Sequence, residues 1–401
     1  MQNTMKIALL CSGLGHIQRG HEVFARDLYT LLAHAIDITL FKGGGEPAPK
    51  ELVIENIARN AACLEQIHVD VSPKWAASVR EQERHRIEAE TFAYAALKPL
   101  LEGGFDVIHC LEREVCDIIY AQRHLFAKPP KILFSNGGAI PARDLPHCDY
   151  VQEYTPLNLR FSAKNKSFLI PHGVDLQQFH PGVASDFRAK NGIPADAFVV
   201  ISVGTVAYTH KRMDYVIEEV AAVKDAYLVV VGQESPETPE IKALGQQLMG
   251  DRIIFTKLAH SQLPQAYAAA NVFALGSVFE TFGIVYIEAM AMGLPVICTD
   301  HINQREIVKE GLFIDVMKPG ALTQALLGSN RNELIALTRR GREIVEKHYD
   351  LAVLKRHYLT HYQRMGASAL APPVYSWRNK LASNAKNVAR QLVQLVYGRA
   401  A

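Results

Sequence analysis

Residues 273–296, FALGSVFETFGIVYIEAMAMGLPV, predict the local structure around which the rest of the chain is arranged. A short apolar run suits a buried strand, a turn follows at Gly283, and an apolar helix then ends at Gly-Leu-Pro. A helix that begins at such a turn directs free N–H groups and the positive end of its dipole toward the turn, which favours an anion there. Glu280 and Glu288 flank this position. Because carboxylates do not attract an anion, we expect them to bind the hydroxyls of a polyol attached to it.

The spacing of these glutamates resembles the E-x7-E signature of the retaining glycosyltransferases of family 4, which have the two-domain GT-B fold. The wider pattern S-x-x-E-x-F-G-x-x-x-x-E-A-M-A-x-G-x-P-V runs from Ser277 to Val296. The resemblance implies transfer of a hexose from a nucleoside-diphosphate sugar to an acceptor hydroxyl, with the anomeric configuration retained. The alternative is an ordinary buried crossover with two incidental acids, which would leave glutamates in an apolar helix at a high desolvation cost.

The composition excludes several other classes of protein. A chain of 401 residues is comfortable for two domains, and 43 basic against 41 acidic residues argue against a dedicated nucleic-acid binder. The six cysteines form no C-x-x-C pair and mostly lie in apolar segments. This predicts buried thiols in a reducing cytosol, with neither a zinc site nor a disulfide framework. No apolar run reaches the roughly 18 residues of a membrane span, so we expect a cytoplasmic protein.

Short apolar strands alternate with helices in both halves of the chain, which predicts an α/β protein with mostly parallel, doubly wound sheets. With the resemblance, this becomes a GT-B fold of two Rossmann-like domains facing across a cleft. The predicted domains are an acceptor domain at 1–172, a nucleotide-sugar donor domain at 173–348, and helices at 349–401 that return to the first domain and end in a basic tail. The predicted strands are 6–11, 36–41, 67–71, 105–110, 131–134, 150–152, 168–170, 198–203, 227–231, 252–255, 272–275 and 296–298.

The glycine turn after the first strand offers a rival function. Gly13-Leu14-Gly15 could begin a dinucleotide-binding fingerprint, but the third glycine would fall at Gln18. The second strand also ends at Lys42 instead of the acid that binds a ribose. Both departures argue against a nicotinamide-dependent enzyme. The resemblance instead places this loop beside the donor diphosphate and the acceptor, which assigns Gly15 to the donor and His16 to the acceptor; a purely structural His16 is the alternative.

The segment 203–214, VGTVAYTHKRMD, resembles the V-G-R-x5-K-G loop of the family. The lysine of the pattern falls on Lys211, but its arginine falls on Thr205. In such enzymes two cations stabilise the charge that grows on the leaving diphosphate. We therefore expect Arg212, whose planar fork suits a diphosphate, or a protonated His210 to replace the missing arginine. The alternative is a solvated basic turn before a helix.

Two further positions point to the acceptor. Residues 106–109, DVIH, resemble a strand end of the family, which assigns His109 to catalysis and to acceptor binding. Many relatives carry a second histidine two residues later, where this chain has Leu111. A buried core histidine is the alternative for His109. Asn136 follows a neighbouring strand and is expected to face the acceptor.

The resemblance implies a role for each residue of the donor site. Glu280 would hold sugar hydroxyls and act in catalysis with Lys211, and Glu288 would hold the nucleotide ribose. The remaining donor contacts would come from Thr281, Phe282, Gly283 and Ile284 at the turn and from Lys257 and Leu258 beside the base. Since no D-x-D motif stands out, no metal and no cofactor are expected. Two other functions stay open: a nucleotide-sugar epimerase of the same fold, and a non-catalytic sugar-nucleotide binder.

The last part of the chain has an unusual charge. Residues 351–401 contain eight Lys or Arg and no acid, so the remaining chain has 35 basic and 41 acidic residues. The apolar residues of this tail recur at helical spacing: Trp377, Leu381, Ala385, Val388, Leu392 and Val396. Such a stripe suits either an anionic membrane surface or the acidic body of the protein. The first alternative would favour a lipid-linked acceptor over a soluble saccharide and a peripheral position on the inner face of the membrane, as in cell-envelope glycan synthesis.

Overall fold

The computed structural model describes residues 5–17, 19–208 and 211–368. The predictions that concern Gln18, His210 and the apolar stripe at 377–396 lie outside these residues. The chain divides into two α/β units. The first unit consists of the described residues of Met1–Gln152, Asn165–Phe168 and Leu359–Ala401, and the second consists of Glu153–Lys164 and Leu169–Tyr358.

The first sheet has seven strands in the order β3-β2-β1-β4-β5-β6-β7. They are β1 (Lys6–Cys11), β2 (Asp37–Lys42), β3 (Glu51–Val53), β4 (Val107–Cys110), β5 (Lys131–Ser135), β6 (Tyr150–Glu153) and β7 (Ser167–Leu169). The pairs from β3 through β6 are parallel. The strand order changes direction between β1 and β4, and ligands of such sheets bind at the carboxyl ends of the strands at this switch point.

The second sheet has six parallel strands in the order β10-β9-β8-β11-β12-β13. They are β8 (Val199–Val203), β9 (Tyr227–Val231), β10 (Ile253–Thr256), β11 (Val272–Ala274), β12 (Val296–Thr299) and β13 (Leu312–Ile314). Its switch point lies between β8 and β11. The prediction of two doubly wound parallel sheets is confirmed.

Helices follow most of the strands, as crossover connections between parallel strands require. They are α1 (Gly20–Leu32), α2 (Pro73–Gly103), α3 (Arg113–Ala121), α4 (Pro156–Phe161), α5 (Phe187–Lys190), α6 (Met213–Ala221), α7 (Thr238–Met249), α8 (Leu263–Ala268), α9 (Ile284–Ala291), α10 (Ile302–Val308), α11 (Ala321–Gly328), α12 (Arg331–His348) and α13 (Leu351–Ala367). Within the described ranges, none of these helices combines the length and the apolar character needed to cross a bilayer.

Each sheet is buried between helices, so its central strands are apolar along their whole length. In the first unit, Phe92 and Leu100 of α2 pack in one core with Ile108 of β4. In the second unit, Val216 of α6 and Leu228 of β9 belong to a separate core. Both cores hold the strands rigidly, which fixes the loops at their carboxyl ends.

The predicted third strand at 67–71 is wrong, because the strand beside β2 is β3. Glu51 of β3 accepts two hydrogen bonds from Arg26, at 2.6 and 3.0 Å, and one from Lys42 Nζ at 2.6 Å. These charged contacts attach a polar segment to the sheet edge, where apolar patterning gives no signal. Strand β13 was not predicted from the sequence either. Five of the six cysteines are buried, in agreement with the prediction of mostly buried thiols, and Cys63 is exposed.

Candidate functional site

A lysine and a glutamate meet at the switch point of the second sheet. Lys211 follows the loop after β8, and Glu280 follows β11. The Lys211 ammonium lies 2.5 Å from Glu280 Oε1, and the two side chains are 17% and 9% exposed. The start of the loop after β8 packs closely against the residue that follows β9, since a side chain at Gly232 would lie 1.6 Å from the Gly204 carbonyl oxygen. The two residues that the sequence assigned to catalysis in this unit therefore form one ion pair that solvent still reaches.

The loop that carries Glu280 is held by polar side chains that the motif did not assign. Ser277 Oγ donates a hydrogen bond of 2.6 Å to Glu280 Oε1. Asn303 Nδ2 donates to the backbone carbonyls of Glu280 and Thr281, at 2.8 and 3.0 Å. Thr299 Oγ1 donates to the Ser277 carbonyl. Because Oε1 receives both Lys211 and Ser277, the second oxygen, Oε2, is the one left to accept a bond from a ligand.

Gly283 forms the turn before α9 with a φ of 82°. A side chain there would also meet the Tyr286 ring at 2.5 Å, so both the backbone and the packing require glycine. Phe282 is 3% exposed, and the His172 ring meets it edge-on at 5.0 Å. Thr281 and Ile284 flank the turn. The structure therefore places the predicted donor residues 280–284 together at the N-terminus of an eight-residue helix.

Glu288 is 2% exposed, and both of its oxygens have protein partners. His260 Nε2 lies 2.7 Å from Oε1, and the Tyr267 hydroxyl donates to Oε2 at 2.8 Å. Burial and then the Glu288 charge raise the pKa of Tyr267 well above its usual range, so it remains a donor. These hydrogen bonds offset the cost of burying the Glu288 carboxylate in an apolar helix. Nothing in the local spacing predicted them, because His260 and Tyr267 come from a different crossover.

Lys257 and Leu258 follow β10 directly. A small cavity of about 80 Å³ lies at the carboxyl ends of this part of the sheet, and its lining includes Val206, Gly232 and Lys257. Lys257 is exposed and Leu258 is half-buried. The predicted positions beside the base thus line, or lie next to, a cavity at the edge where ligands of such sheets bind.

The Arg212 guanidinium has partners other than the Lys211–Glu280 pair. Arg212 has a left-handed backbone at the start of α6, with a φ of 46°. Its guanidinium donates to the Val316 carbonyl at 2.7 Å and lies over the Tyr215 ring, 4.9 Å from the centroid. This placement argues against Arg212 as the second diphosphate cation, because its fork is already used to join α6 to the loop after β13.

In the first unit, Gly15 and His16 close the glycine turn. Gly15 has a φ of 95°, and a side chain there would meet the Gly44 carbonyl oxygen at 2.1 Å. His16 Nε2 lies 3.0 Å from Asn56 Oδ1, and Asn56 Nδ2 donates to the Ser12 carbonyl at 3.1 Å. His16 thus connects the loop after β1 to the segment after β3, which supports the structural alternative.

His109 is completely buried. Its Nε2 lies 2.6 Å from Ser135 Oγ, and its Nδ1 lies 2.8 Å from the Tyr362 hydroxyl. Since Ser135 donates to Gln152 Oε1, Nε2 carries the proton and Nδ1 accepts from the tyrosine. Burial lowers the pKa of His109 to about 3, so the ring stays neutral. Direct contact with a substrate does not fit this arrangement, and the core-histidine alternative explains it.

Asn136 is also buried, with 1% exposure. Its amide nitrogen donates to the Ile140 carbonyl and its oxygen accepts from the Ile140 N–H, both at 2.8 Å. The side chain therefore closes its own loop, which includes Ala139 with a φ of 53°. This contradicts the expectation that Asn136 faces the acceptor, since its polar atoms are already used.

A buried ionic network, which the sequence did not predict, packs against Gly13. Arg59 Nε lies 2.7 Å from Glu88 Oε2, and Arg59 Nη2 lies 3.2 Å from Glu22 Oε1. A side chain at Gly13 would meet both Arg59 and Glu22 at 2.5 Å. The glycine pattern thus has a packing reason unrelated to dinucleotide binding.

Comparison with known proteins finds a family model that matches part of the second unit. Residues 197–330 match the family model described as glycosyl transferases group 1. This segment, about a third of the chain, is therefore similar to that family. A curated relative, D-inositol 3-phosphate glycosyltransferase 1 of Catenulispora acidiphila, is 30% identical over 199 residues, which cover 46% of this chain and 47% of the relative. The chain thus spans about half the length of that curated relative.

Solved structures extend the likeness to both units. Sucrose-phosphate synthase from Thermosynechococcus elongatus superposes with a TM-score of 0.73 at 22% identity, covering 91% of this chain and all of the other. HepE of Anabaena, solved with UDP and glucose, superposes with a TM-score of 0.68 at 15% identity, covering 90% of this chain and all of the other. The fold is therefore GT-B, as the sequence predicted.

Proposed function

We propose that the protein is a retaining glycosyltransferase that moves a hexose from a nucleoside-diphosphate sugar to an acceptor hydroxyl. The Lys211–Glu280 pair at the Gly283 turn is the observation that carries this proposal. It combines a cation, a carboxylate and the N-terminal end of a helix at the carboxyl edge of a sheet whose sequence matches the model of glycosyl transferases group 1. Among similar proteins, one is a D-inositol 3-phosphate glycosyltransferase, and HepE was solved in complex with UDP and glucose.

Each part of the pair has a distinct task in this reaction. The diphosphate accepts hydrogen bonds from the α9 N-terminus and from Lys211, which neutralise the charge that grows on the leaving group. Glu280 Oε2 accepts hydrogen bonds from sugar hydroxyls, while Ser277 holds Oε1. Attack of the acceptor hydroxyl on the face from which the diphosphate leaves retains the configuration, and a phosphate oxygen takes the proton. This front-face mechanism requires the fewest catalytic side chains, because the leaving phosphate acts as the base.

Glu288 supports nucleotide binding from one turn further into α9. His260 and Tyr267 fix the orientation of its carboxylate, and each oxygen has a second lone pair for a ribose hydroxyl. Lys257 and Leu258 lie where the base would enter. We propose no metal in this donor site, because Lys211 and the helix N–H groups supply the positive charge; added Mg²⁺ or Mn²⁺ should then leave turnover unchanged.

The test begins with a thermal-shift screen against UDP- and GDP-sugars, because a ligand that binds only the folded protein raises its melting temperature. A donor that raises it is then incubated with saccharide acceptors, and NMR of the product gives the anomeric configuration. The proposal predicts transfer with retention. Free nucleoside diphosphate without transfer would favour the epimerase or hydrolysis, binding without turnover would favour the non-catalytic binder, and no shift with any donor would contradict all three.

The basic tail bears on two further questions, namely which acceptor the protein uses and where in the cell it acts. We propose a cytoplasmic protein whose tail lies on an anionic membrane surface, where each cation contributes about 1 kcal/mol. The intact chain should then sediment with anionic vesicles at low salt and be released at high salt, while a chain that ends at Ala371 stays folded and active on a water-soluble acceptor. Loss of folding on truncation, or no vesicle binding by the intact chain, would assign the tail to docking on the protein body.

A further inference from the structure

Three potential metal ligands meet at the switch point of the first sheet. Cys11 ends β1, His21 lies in the first turn of α1, and Glu112 follows β4. Because β1 and β4 are adjacent and parallel, their carboxyl ends place Cys11 and Glu112 side by side. The sulfur, a ring nitrogen and a carboxylate oxygen all lie within 4.8 Å of one another. The sequence predicted no zinc site, because these ligands come from three elements and form no C-x-x-C motif.

The geometry of the cluster suits a cation better than a direct ion pair. His21 Nε2 and Glu112 Oε1 are 3.3 Å apart, and among the described residues no well-aligned hydrogen bond satisfies this nitrogen. Two ligands bound to tetrahedral zinc at ordinary Zn–N and Zn–O distances are about 3.3 Å apart. Glu112 Oε2 is likewise buried without a partner in the part of the chain that the structure describes. A buried unpartnered carboxylate oxygen is costly unless a cation binds it.

The surrounding charge also favours a cation. The neighbouring network contains Glu22 and Glu88 against a single guanidinium, Arg59. With Glu112, three carboxylates therefore surround this edge of the sheet. Ser12 orients Glu112 by donating to Oε1 from both its N–H, at 2.8 Å, and its hydroxyl, at 3.0 Å. Such hydrogen bonds to a ligating carboxylate are typical of the groups that support a metal site.

We propose that Cys11, His21 and Glu112 bind one Zn²⁺ ion at the carboxyl edge of the first sheet. Thiolate, imidazole and carboxylate are the ligand types that zinc prefers, and three protein ligands leave a fourth position for water or another ligand. The ion reaches the site from the side of His21, whose side chain is 35% exposed. On binding, the Cys11 thiol loses its proton to solvent and its sulfur bonds to the metal.

The test uses the full-length protein without donor or acceptor, so its outcome does not depend on the proposed function. The protein is stripped of metal and titrated with Zn²⁺ by calorimetry, and Co²⁺ is added in parallel to detect a thiolate-to-cobalt charge-transfer band. The proposal predicts one zinc per chain and a cobalt spectrum of a tetrahedral thiolate site. Absence of zinc binding, or a cobalt spectrum without the thiolate band, would overturn it.

Variants locate the site. Cys11→Ser should abolish the charge-transfer band and weaken zinc binding by at least about 100-fold, beyond what loss of a merely supporting group produces. His21→Gln, at a half-exposed position that tolerates a polar residue, should weaken zinc binding strongly while circular dichroism stays native. Cys63→Ser, at an exposed cysteine, is the matched control and should change neither signal. Zinc binding that survives both Cys11→Ser and His21→Gln would overturn the proposal.

Discussion

The two sheets have the same strand order around their switch points, but the residues there differ in charge. After β4 of the first sheet comes Glu112, held by the hydroxyl of Ser12 at 3.0 Å. After β11 of the second comes Glu280, held by the hydroxyl of Ser277 at 2.6 Å. Topology thus places a serine-bound carboxylate at both switch points.

The partners of the two carboxylates make the difference. In the second unit, Lys211 supplies a full positive charge at a solvent-accessible position, beside the N-terminus of α9. In the first unit, Glu22 and Glu88 add negative charge, and Arg59 compensates only part of it. The same strand order is therefore compatible with the anion site that we propose in one unit and with the cation site that we propose in the other. Neighbouring charges, and not the strand order, decide the ligand.

Glu280→Gln should have the largest effect, because it removes the charge that faces the sugar while keeping the amide oxygen near Ser277. We expect turnover to fall about 10³-fold, as when a group that stabilises the transition state is lost. Binding of free nucleoside diphosphate should change little. Product formation gives kcat, and calorimetry gives the affinity for the nucleotide. Glu218→Gln, at an exposed glutamate of α6, is the control. Equal loss of both quantities would mean that Glu280 is not the sugar-binding carboxylate.

Lys211→Met should lower turnover about 10²-fold, because the leaving diphosphate loses its side-chain cation. Arg212→Ala should change turnover only a few-fold, since its guanidinium binds the Val316 carbonyl. The pair of variants separates the two neighbouring cations in one kinetic assay, and Lys224→Met at an exposed position is the control. If Arg212→Ala costs as much as Lys211→Met, the loop rearranges on donor binding and Arg212 is the second cation after all.

The third prediction concerns His109, which lies near the carboxyl end of β4 in the first unit and is completely buried. Because burial lowers its pKa to about 3 from about 6.5, the folded protein disfavours protonation, and stability falls as the pH drops below about 6.5. Between pH 7.5 and pH 5 this one group should cost about 2 kcal/mol of unfolding free energy. Denaturant unfolding of the wild type and His109→Gln at both values measures it.

The His109→Gln variant should lose this pH-dependent part, whereas His34→Gln, at an exposed histidine, should keep it. An unchanged pH dependence in His109→Gln would show that His109 is accessible to protons in the folded protein. That result would restore it as a candidate for substrate contact.

His260→Ala should have the smallest effect, because Tyr267 still holds the other oxygen of Glu288. We expect nucleotide affinity to fall about tenfold with kcat nearly unchanged, consistent with one hydrogen bond to a charged group. Glu288→Ala should lose about 1.5–3 kcal/mol of nucleotide binding. A fall in kcat without loss of affinity would give His260 a different task from positioning Glu288.

The sequence predicted the second unit better than the first for a physical reason. In residues 273–296 the functional groups are close in the chain, and a glycine with positive φ at 283 fixes their spacing. Glu288 could be recognised as important because its burial demands partners. Its partners could not be named, since contact between helices depends on how the crossovers pack.

In the first unit the functional groups are distant in sequence. Cys11, His21 and Glu112 meet only after β1 and β4 have paired, and no local spacing encodes that. His109 and Asn136 show the converse error. His109 lies near the carboxyl end of β4 and Asn136 directly follows β5, at the ligand-binding edge, but Ser135 and Ile140 bind their polar atoms inside the fold. A strand-end position predicts where a side chain lies along the sheet and does not predict whether solvent reaches it.

The ionic contact of Glu51 with Arg26 and Lys42 also bears on aggregation. An outermost strand exposes unpaired backbone groups that a strand of another molecule can extend. Here β3 is three residues long and has a charged residue at its start, while Lys42, 5% exposed, occupies the end of its neighbour. A strand of a second chain that paired with this edge strand would have to desolvate these charges. Replacing Glu51 with valine would remove that barrier and would also leave the buried Lys42 ammonium without its carboxylate, so self-association in a concentrated solution should accompany a loss of stability.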